Sequence, residues 1–326
     1  MTDIRLQQLN RWLASTQYSN LQLTPLSGDA SSRRYFRADA AQQKLVIMDS
    51  PAPLDVAPFV DICQRLHSAG LNAPKILASS PTEGFLVLSD LGEKTYLDAV
   101  NEQNSEVFFS AAISALVTLQ SQASTQGFSE YDRPLLEREL ALFPDWYIGH
   151  HKPELGGEAV DKYFSELSED LVGRIVAMPK TFVHRDYMVR NLMVSQPMPG
   201  IIDFQDAVIG PYCYDIASLC KDAFISWPQA QVEQWQTDYW HRANEAGVPV
   251  AGSLAQFFQD CDVMAVQRHL KVIGIFARIR YRDGKPAYLE DVPRFVSYLR
   301  GAEQRLRKAG CGLRSISKLL AEVWPT

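Results

Sequence analysis

Between residues 4 and 91 the apolar positions change period several times, and each change marks a different element. Ile4, Leu6, Leu9, Trp12 and Leu13 recur at mixed helical spacing, whereas 21–26 alternates, and apolar strands follow at 35–37 and 45–48 after a polar turn at 28–32. Phe59, Ile62, Cys63 and Leu66 share one face of a helix over about 59–69 that Gly70 ends, and 75–78 and 85–88 read as two more strands. The order is strand, strand, strand, helix, strand, strand. Beyond it the period is helical near 104–121, 133–150, 158–177, 215–225, 229–246, 253–281 and 290–308, interrupted by hairpins at 182–206. The pattern predicts an α+β fold of two lobes: a small antiparallel sheet plus helix over 1–91 and a larger, mostly helical lobe over 92–326.

Composition narrows the class without changing that picture. With 46% hydrophobic and 21% charged residues in 326, the chain is ordinarily globular. No apolar leader follows Met1 and no run approaches the ~20 apolar residues of a membrane span, so a cytoplasmic protein without membrane contact is expected. The five cysteines are scattered and form no C-x-x-C pair, which indicates reduced packing residues rather than a disulfide framework or a zinc site. The oligomeric state is left open.

The chemistry concentrates in His184-Arg185-Asp186-Tyr187-Met188-Val189-Arg190-Asn191, followed by Ile201-Ile202-Asp203-Phe204. This is H-R-D-x-x-x-x-N, a short strand, a Pro/Gly turn and a second strand ending on Asp-Phe, the hairpin context of a kinase catalytic centre. Phosphoryl transfer from ATP requires a carboxylate that orients or deprotonates the acceptor hydroxyl, then an amide oxygen and a second carboxylate that hold Mg2+ against the phosphates. Asp186, Asn191 and Asp203 supply those groups in that order. The two lobes then read as a bilobal protein-kinase-like fold with ATP between them. Gly28, Ser31, Ser32, Arg33 and Arg34 form the turn expected to face the phosphates. Asp90, in Ser89-Asp90-Leu91-Gly92, marks the hinge where main-chain groups meet the adenine.

Gly210-Pro211-Tyr212-Cys213-Tyr214-Asp215 arrives too soon after Asp203 for an activation segment. Here the chain resembles the aminoglycoside phosphotransferase family of small-molecule kinases, with its H-x-D-x-x-x-x-N loop, metal Asp after two apolar residues and Tyr-Asp opening the next helix. The resemblance implies that Asp215 braces the catalytic loop; His184 is likewise assigned a structural place. Gly28 to Arg37, Asp203 to Pro211, Gly274-Ile275-Phe276-Ala277-Arg278 and Tyr281-Arg282-Asp283-Gly284-Lys285 further resemble bacterial anomeric sugar kinases of cell-wall recycling. That subgroup's similarity implies ATP-dependent phosphorylation of N-acetylmuramate and N-acetylglucosamine at carbon 1.

Two departures qualify the match. Met48 stands where such kinases place a lysine on the third strand, so Arg33 or Arg34 is expected to supply the missing cation; otherwise the chain is a catalytically silent nucleotide-binding module. Met188-Val189 makes the catalytic loop more apolar than in comparable sugar kinases. For the acceptor, Glu139 and Trp146 offer a carboxylate and an aromatic wall. Residues 268–308 hold eleven Lys/Arg against four Asp/Glu in a chain of net charge −6, which suggests an anionic ligand, with Arg268, Lys271 and Arg278 on one helical face. A kinase of an aminoglycoside, choline or a related amine is the alternative, but a cationic acceptor wants an acidic or aromatic cage. Nucleic acid is not expected as a partner, since the chain is acidic and has no groove-reading motif.

Overall fold

The computed structural model of the chain describes residues 3–26, 33–40 and 43–325. Helix α1 (Ile4–Ala14) starts at Asp3, whose carboxylate accepts the Leu6 N–H at 2.9 Å. Strands β1 (Thr24–Leu26), β2 (Arg34–Ala40) and β3 (Gln43–Asp49), helix α2 (Ala57–Ser68), and strands β4 (Ile76–Ser80) and β5 (Phe85–Ser89) follow. The five strands form an antiparallel sheet in the order β1-β2-β3-β5-β4.

Because strand side chains alternate between faces, the sheet sorts its apolar residues into two layers. Leu45 and Ile47 of β3, with Phe36, Ala38, Phe85 and Val87, pack on Leu9 and Leu13 of α1. Met48 of β3, Leu86 and Leu88 face the other way, in the core shared with Phe59, Ile62, Cys63 and Leu66 of α2. That second layer continues into the helical lobe, where the Phe59 and Phe204 rings stand 4.8 Å apart.

The helical lobe comprises α3 (Tyr96–Ala99), α4 (Ser105–Gln122), α5 (Arg133–Leu140), α6 (Glu158–Val176), α7 (Tyr214–Cys220), α8 (Gln229–Glu245), α9 (Leu254–Asp283), α10 (Val292–Lys308) and α11 (Ile316–Val323). Within it, β6 (Lys180–Val183) pairs with β9 (Val208–Pro211), and β7 (Leu192–Met193) with β8 (Gly200–Ile201). Helix α9 is buried around most of its circumference and forms the lobe's axis, as a helix enclosed by others must. No helix among the described residues is long and apolar enough to cross a membrane.

Three sequence expectations are corrected. The single helix over 133–150 is two pieces: α5 ends at Leu140 and a π-helical segment, Phe143–His151, follows, where Pro144 interrupts regular α-bonding and Gly274 of α9 lets the Leu142–Phe143 backbone come close. Helix α7 stops at Cys220 instead of 225, because the Asp222 carboxylate takes the Phe224 N–H at 2.7 Å and turns the chain. Helix α11 was not anticipated, although its apolar face (Ile316, Leu319, Leu320, Val323) has helical spacing.

Candidate active site

Strand β6 delivers His184 and the residues after it to the end of the short ladder, and buried Asp215 at the start of α7 fixes them. Its two carboxylate oxygens accept the main-chain N–H groups of His184 (2.7 Å) and Arg185 (3.0 Å). Burial pushes Asp215 up to about 7 against these bonds. Burial likewise lowers His184 to about 4, so its ring is neutral. Nε2–H donates to the Ile202 carbonyl at 3.1 Å and Nδ1 accepts the Asp186 N–H at 3.3 Å, a tautomer assigned from these partners. His184 thereby ties the strand that leads to Asp203 to the backbone of Asp186. Both Arg185 (φ 75°) and Asp203 (φ 62°) have left-handed backbones, a conformation that ordinary residues hold only where surrounding bonds enforce it.

Asp186, Asn191 and Asp203 converge. The Asn191 Nδ2 donates to the main-chain carbonyl of Asp186 at 2.9 Å and to the Asp203 carboxylate at 3.3 Å. Gln205 Nε2 donates to the other Asp203 oxygen at 2.8 Å. Burial raises the pKa of Asp203, and the charges of Asp186 and Asp206 raise it further. Several carboxylates close together in a partly desolvated place are a setting that a cation would relieve.

Asn191 and Asp203 line a cleft of about 540 Å³ between the sheet and the helical lobe, together with Arg33, Tyr35, Val46 and Leu88 among others. Arg33 lies near enough to Asp203 for its charge to lower that carboxyl's pKa. The neighbouring Arg34 is placed elsewhere. Strand alternation sends it to the α1 side, where it pairs with Asp49 (2.6 Å) and Asp3 (2.5 Å). Asp90 lines the cleft, but its carboxylate is engaged by Arg37 Nε at 2.6 Å and by the Gly92 N–H at 2.8 Å, so it secures the bend after β5. Gly28, Ser31 and Ser32 lie outside the described residues. Met48 is fully buried in the core shared with α2, which turns Phe59, Ile62, Cys63 and Leu66 toward it.

The expected acceptor residues are rearranged most. Glu139 is interior: Lys271 Nζ donates to it at 2.9 Å, and Arg185 and Tyr131 bond it as well. Its side chain is 8% exposed and bonded to partners within the fold. Trp146 lies half-buried in the π-helical segment, stacked on His150 at 4.7 Å. The basic excess of 268–308 is largely consumed within the fold. Arg268 and Lys271 are buried; Arg282, Arg294, Arg305 and Arg307 pair with Asp283, Asp291, Asp262 and Glu303. Arg278 differs, being half-buried with a buried Nε that lacks a hydrogen-bond partner; burial and Arg282 lower its pKa.

Three further residues border this region without having been expected from the sequence. Asp222 accepts the Val189 N–H at 3.0 Å, so a second buried carboxylate holds the loop after β6. Tyr35 presents its phenol to the cleft, pushed up to about 12 by burial and by Asp203. Arg190 also lines the cleft, its guanidinium 4.4 Å from the centre of the Phe224 ring. A β2 alternation pattern would have found Tyr35; the other two depend on long-range folding.

The model of the phosphotransferase enzyme family matches residues 22–252. The chain is 47% identical to the N-acetylmuramate/N-acetylglucosamine kinase of Pseudomonas putida, over 98% of this chain and 97% of that protein. Among solved structures it is similar to the choline kinase of Cryptosporidium parvum (TM-score 0.67, 14% identity, covering 96% and 99% of the two chains). It is also similar to the ADP-bound aminoglycoside phosphotransferase APH(2'')-Ib (TM-score 0.59, 15% identity, covering 91% and 98%).

Proposed function

The chain belongs to the phosphotransferase enzyme family and is an ATP-dependent kinase, and from that premise we propose that it moves the γ-phosphate of ATP to the anomeric hydroxyl of N-acetylmuramate and N-acetylglucosamine. The observation that carries this reading is that Asn191 and Asp203 line one cleft, with Asn191 bonded both to the Asp203 carboxylate and to the main-chain carbonyl of Asp186.

Asp186 orients the acceptor hydroxyl and takes its proton as the bond to phosphorus forms. An anomeric hydroxyl is more acidic than other sugar hydroxyls, which eases transfer of its proton to a carboxylate. Asn191 Oδ1 and the Asp203 carboxylate would hold Mg2+, which would supply positive charge to neutralise the phosphates. The donor set fits: these are hard oxygen ligands, and magnesium at kinase sites is bound through one or two side chains plus phosphate oxygens. Arg33 reaches the phosphates from the sheet side in place of the strand-3 lysine, and the main chain of 89–91 meets the adenine edge.

The N-acetylmuramate carboxylate would face Arg278. Because such a pair is partly exposed, its value is about 1 kcal/mol, and Arg278→Met should lower kcat/KM for N-acetylmuramate about fivefold relative to N-acetylglucosamine. The reading as a whole is tested by ADP release with both sugars, with aminoglycosides and with choline, together with phosphorus NMR of the product. Phosphate on carbon 1 supports it; phosphate on another carbon, or turnover of an amine while both sugars are inert, refutes it. Asp186→Asn should cut turnover by roughly two to four orders of magnitude.

A further inference from the structure

One buried carboxylate binds the catalytic loop to three helices, and transfer chemistry does not require it. Arg185, next to Asp186 and left-handed at φ 75°, donates through Nη1 to the Asp206 carbonyl at 3.2 Å and through Nη2 to Glu139. Glu139 comes from the end of α5, with a side chain only 8% exposed. Lys271 of α9 donates to it at 2.9 Å and to Tyr214 of α7 at 3.2 Å, while Tyr131, bonded to Glu139, receives the Gln267 amide at 3.1 Å.

In kinases switched by phosphorylation, arginines pair with a phosphorylated side chain that orders the activation segment. Here the passage from Asp203 to β9 is too short for such a segment, and the anion beside Arg185 is a glutamate of the fold itself. We propose that Glu139 is a positioning residue: a permanent counter-anion that holds Arg185, and through it the backbone of Asp186, in working geometry without any covalent switch. The proposal rests on Asp186 being the acceptor base.

A purely architectural carboxylate would behave differently from one acting through Arg185, and steady-state kinetics separate the two. Glu139→Gln should lower kcat 10- to 100-fold with KM for Mg·ATP changed less than twofold. Arg185→Met should do the same, and the double variant should be no slower than the slower single one. Lys271→Met, which leaves the Arg185–Glu139 pair intact, should keep at least a third of kcat. The proposal is overturned if Glu139→Gln keeps more than half of kcat, if the two losses multiply in the double variant, or if Lys271→Met is as slow as Glu139→Gln. Should Glu139→Gln not fold by circular dichroism, the partly exposed Arg185 decides. Arg185→Lys should then be at least tenfold faster than Arg185→Met, and equal rates sink the idea. Any acceptor that wild type turns over serves in these assays, so an error in the sugar assignment shows separately as inert amino sugars with an active enzyme.

Discussion

At the scale of single residues, direction matters more than type. Arg33 and Arg34 are adjacent and identical, yet one borders the cleft and the other pairs with Asp3 and Asp49 behind the sheet. Loss of a bond to a charged phosphate costs about 1.5–3 kcal/mol, so Arg33→Met should raise KM for Mg·ATP about tenfold or more. Arg34→Met should leave that KM alone and lower the melting temperature. Equal effects on KM would remove the distinction. His184 gives a pH test. Its pKa is depressed to about 4 by burial while the unfolded ring titrates near the usual 6.5, so the neutral ring's stability is complete above about pH 6.5 and is lost as pH falls toward 4. Between pH 7.5 and 5.5 this one group should remove about 1.3 kcal/mol of stability. Urea midpoints at the two pH values should therefore fall further for wild type than for His184→Asn; parallel slopes would show that the ring is charged when folded.

At the scale of elements, the site depends on how closely α9 approaches its neighbours. A Cβ on Gly274 would come within 2.6 Å of Phe143 N and nearer still to the Leu142 carbonyl, both backbone atoms that cannot swing aside. Gly274→Ala should cost about 2 kcal/mol or more in urea unfolding, at the severe end of overpacked substitutions. Gly173 in α6 is the contrast: nothing lies within 4 Å of a Cβ built there, so Gly173→Ala should stabilise by roughly 0.5–1 kcal/mol. If both substitutions were neutral, the close packing of α9 on the π-helical segment would not matter to stability. The split of 133–150 has the same origin. Apolar spacing continues through Leu140, Phe143 and Ile148, but Pro144 and the nearness of α9 decide the hydrogen-bonding pattern.

At the scale of the molecule, the nucleotide should act as a clamp between sheet and helices. Mg·ATP at about 100 times its Kd should add about 2.7 kcal/mol and raise the melting midpoint by roughly 5 °C. Chelation of Mg2+ or Asp203→Ala should remove the shift, and Asp186→Asn should keep it; a shift that survives chelation would exclude Asp203 as a metal ligand. Net charge was a poorer guide. Eleven basic residues in 268–308 looked like an anion site, but Arg268 and Lys271 are buried, Arg305 pairs with Asp262 of α9, and Arg282, Arg294 and Arg307 pair with carboxylates one to four residues away. The sequence by itself determined the alternating sheet, the helical remainder and the trio Asp186, Asn191 and Asp203, because strand period and hairpin spacing are local and bring those groups together over fewer than twenty residues. Only the tertiary structure decided that Glu139 faces Arg185 across 46 residues and that Asp222 supports Val189 across 33. Such pairings depend on which helices pack side by side. A buried carboxylate takes whatever donors that packing places within reach, and no periodicity in the chain encodes the choice.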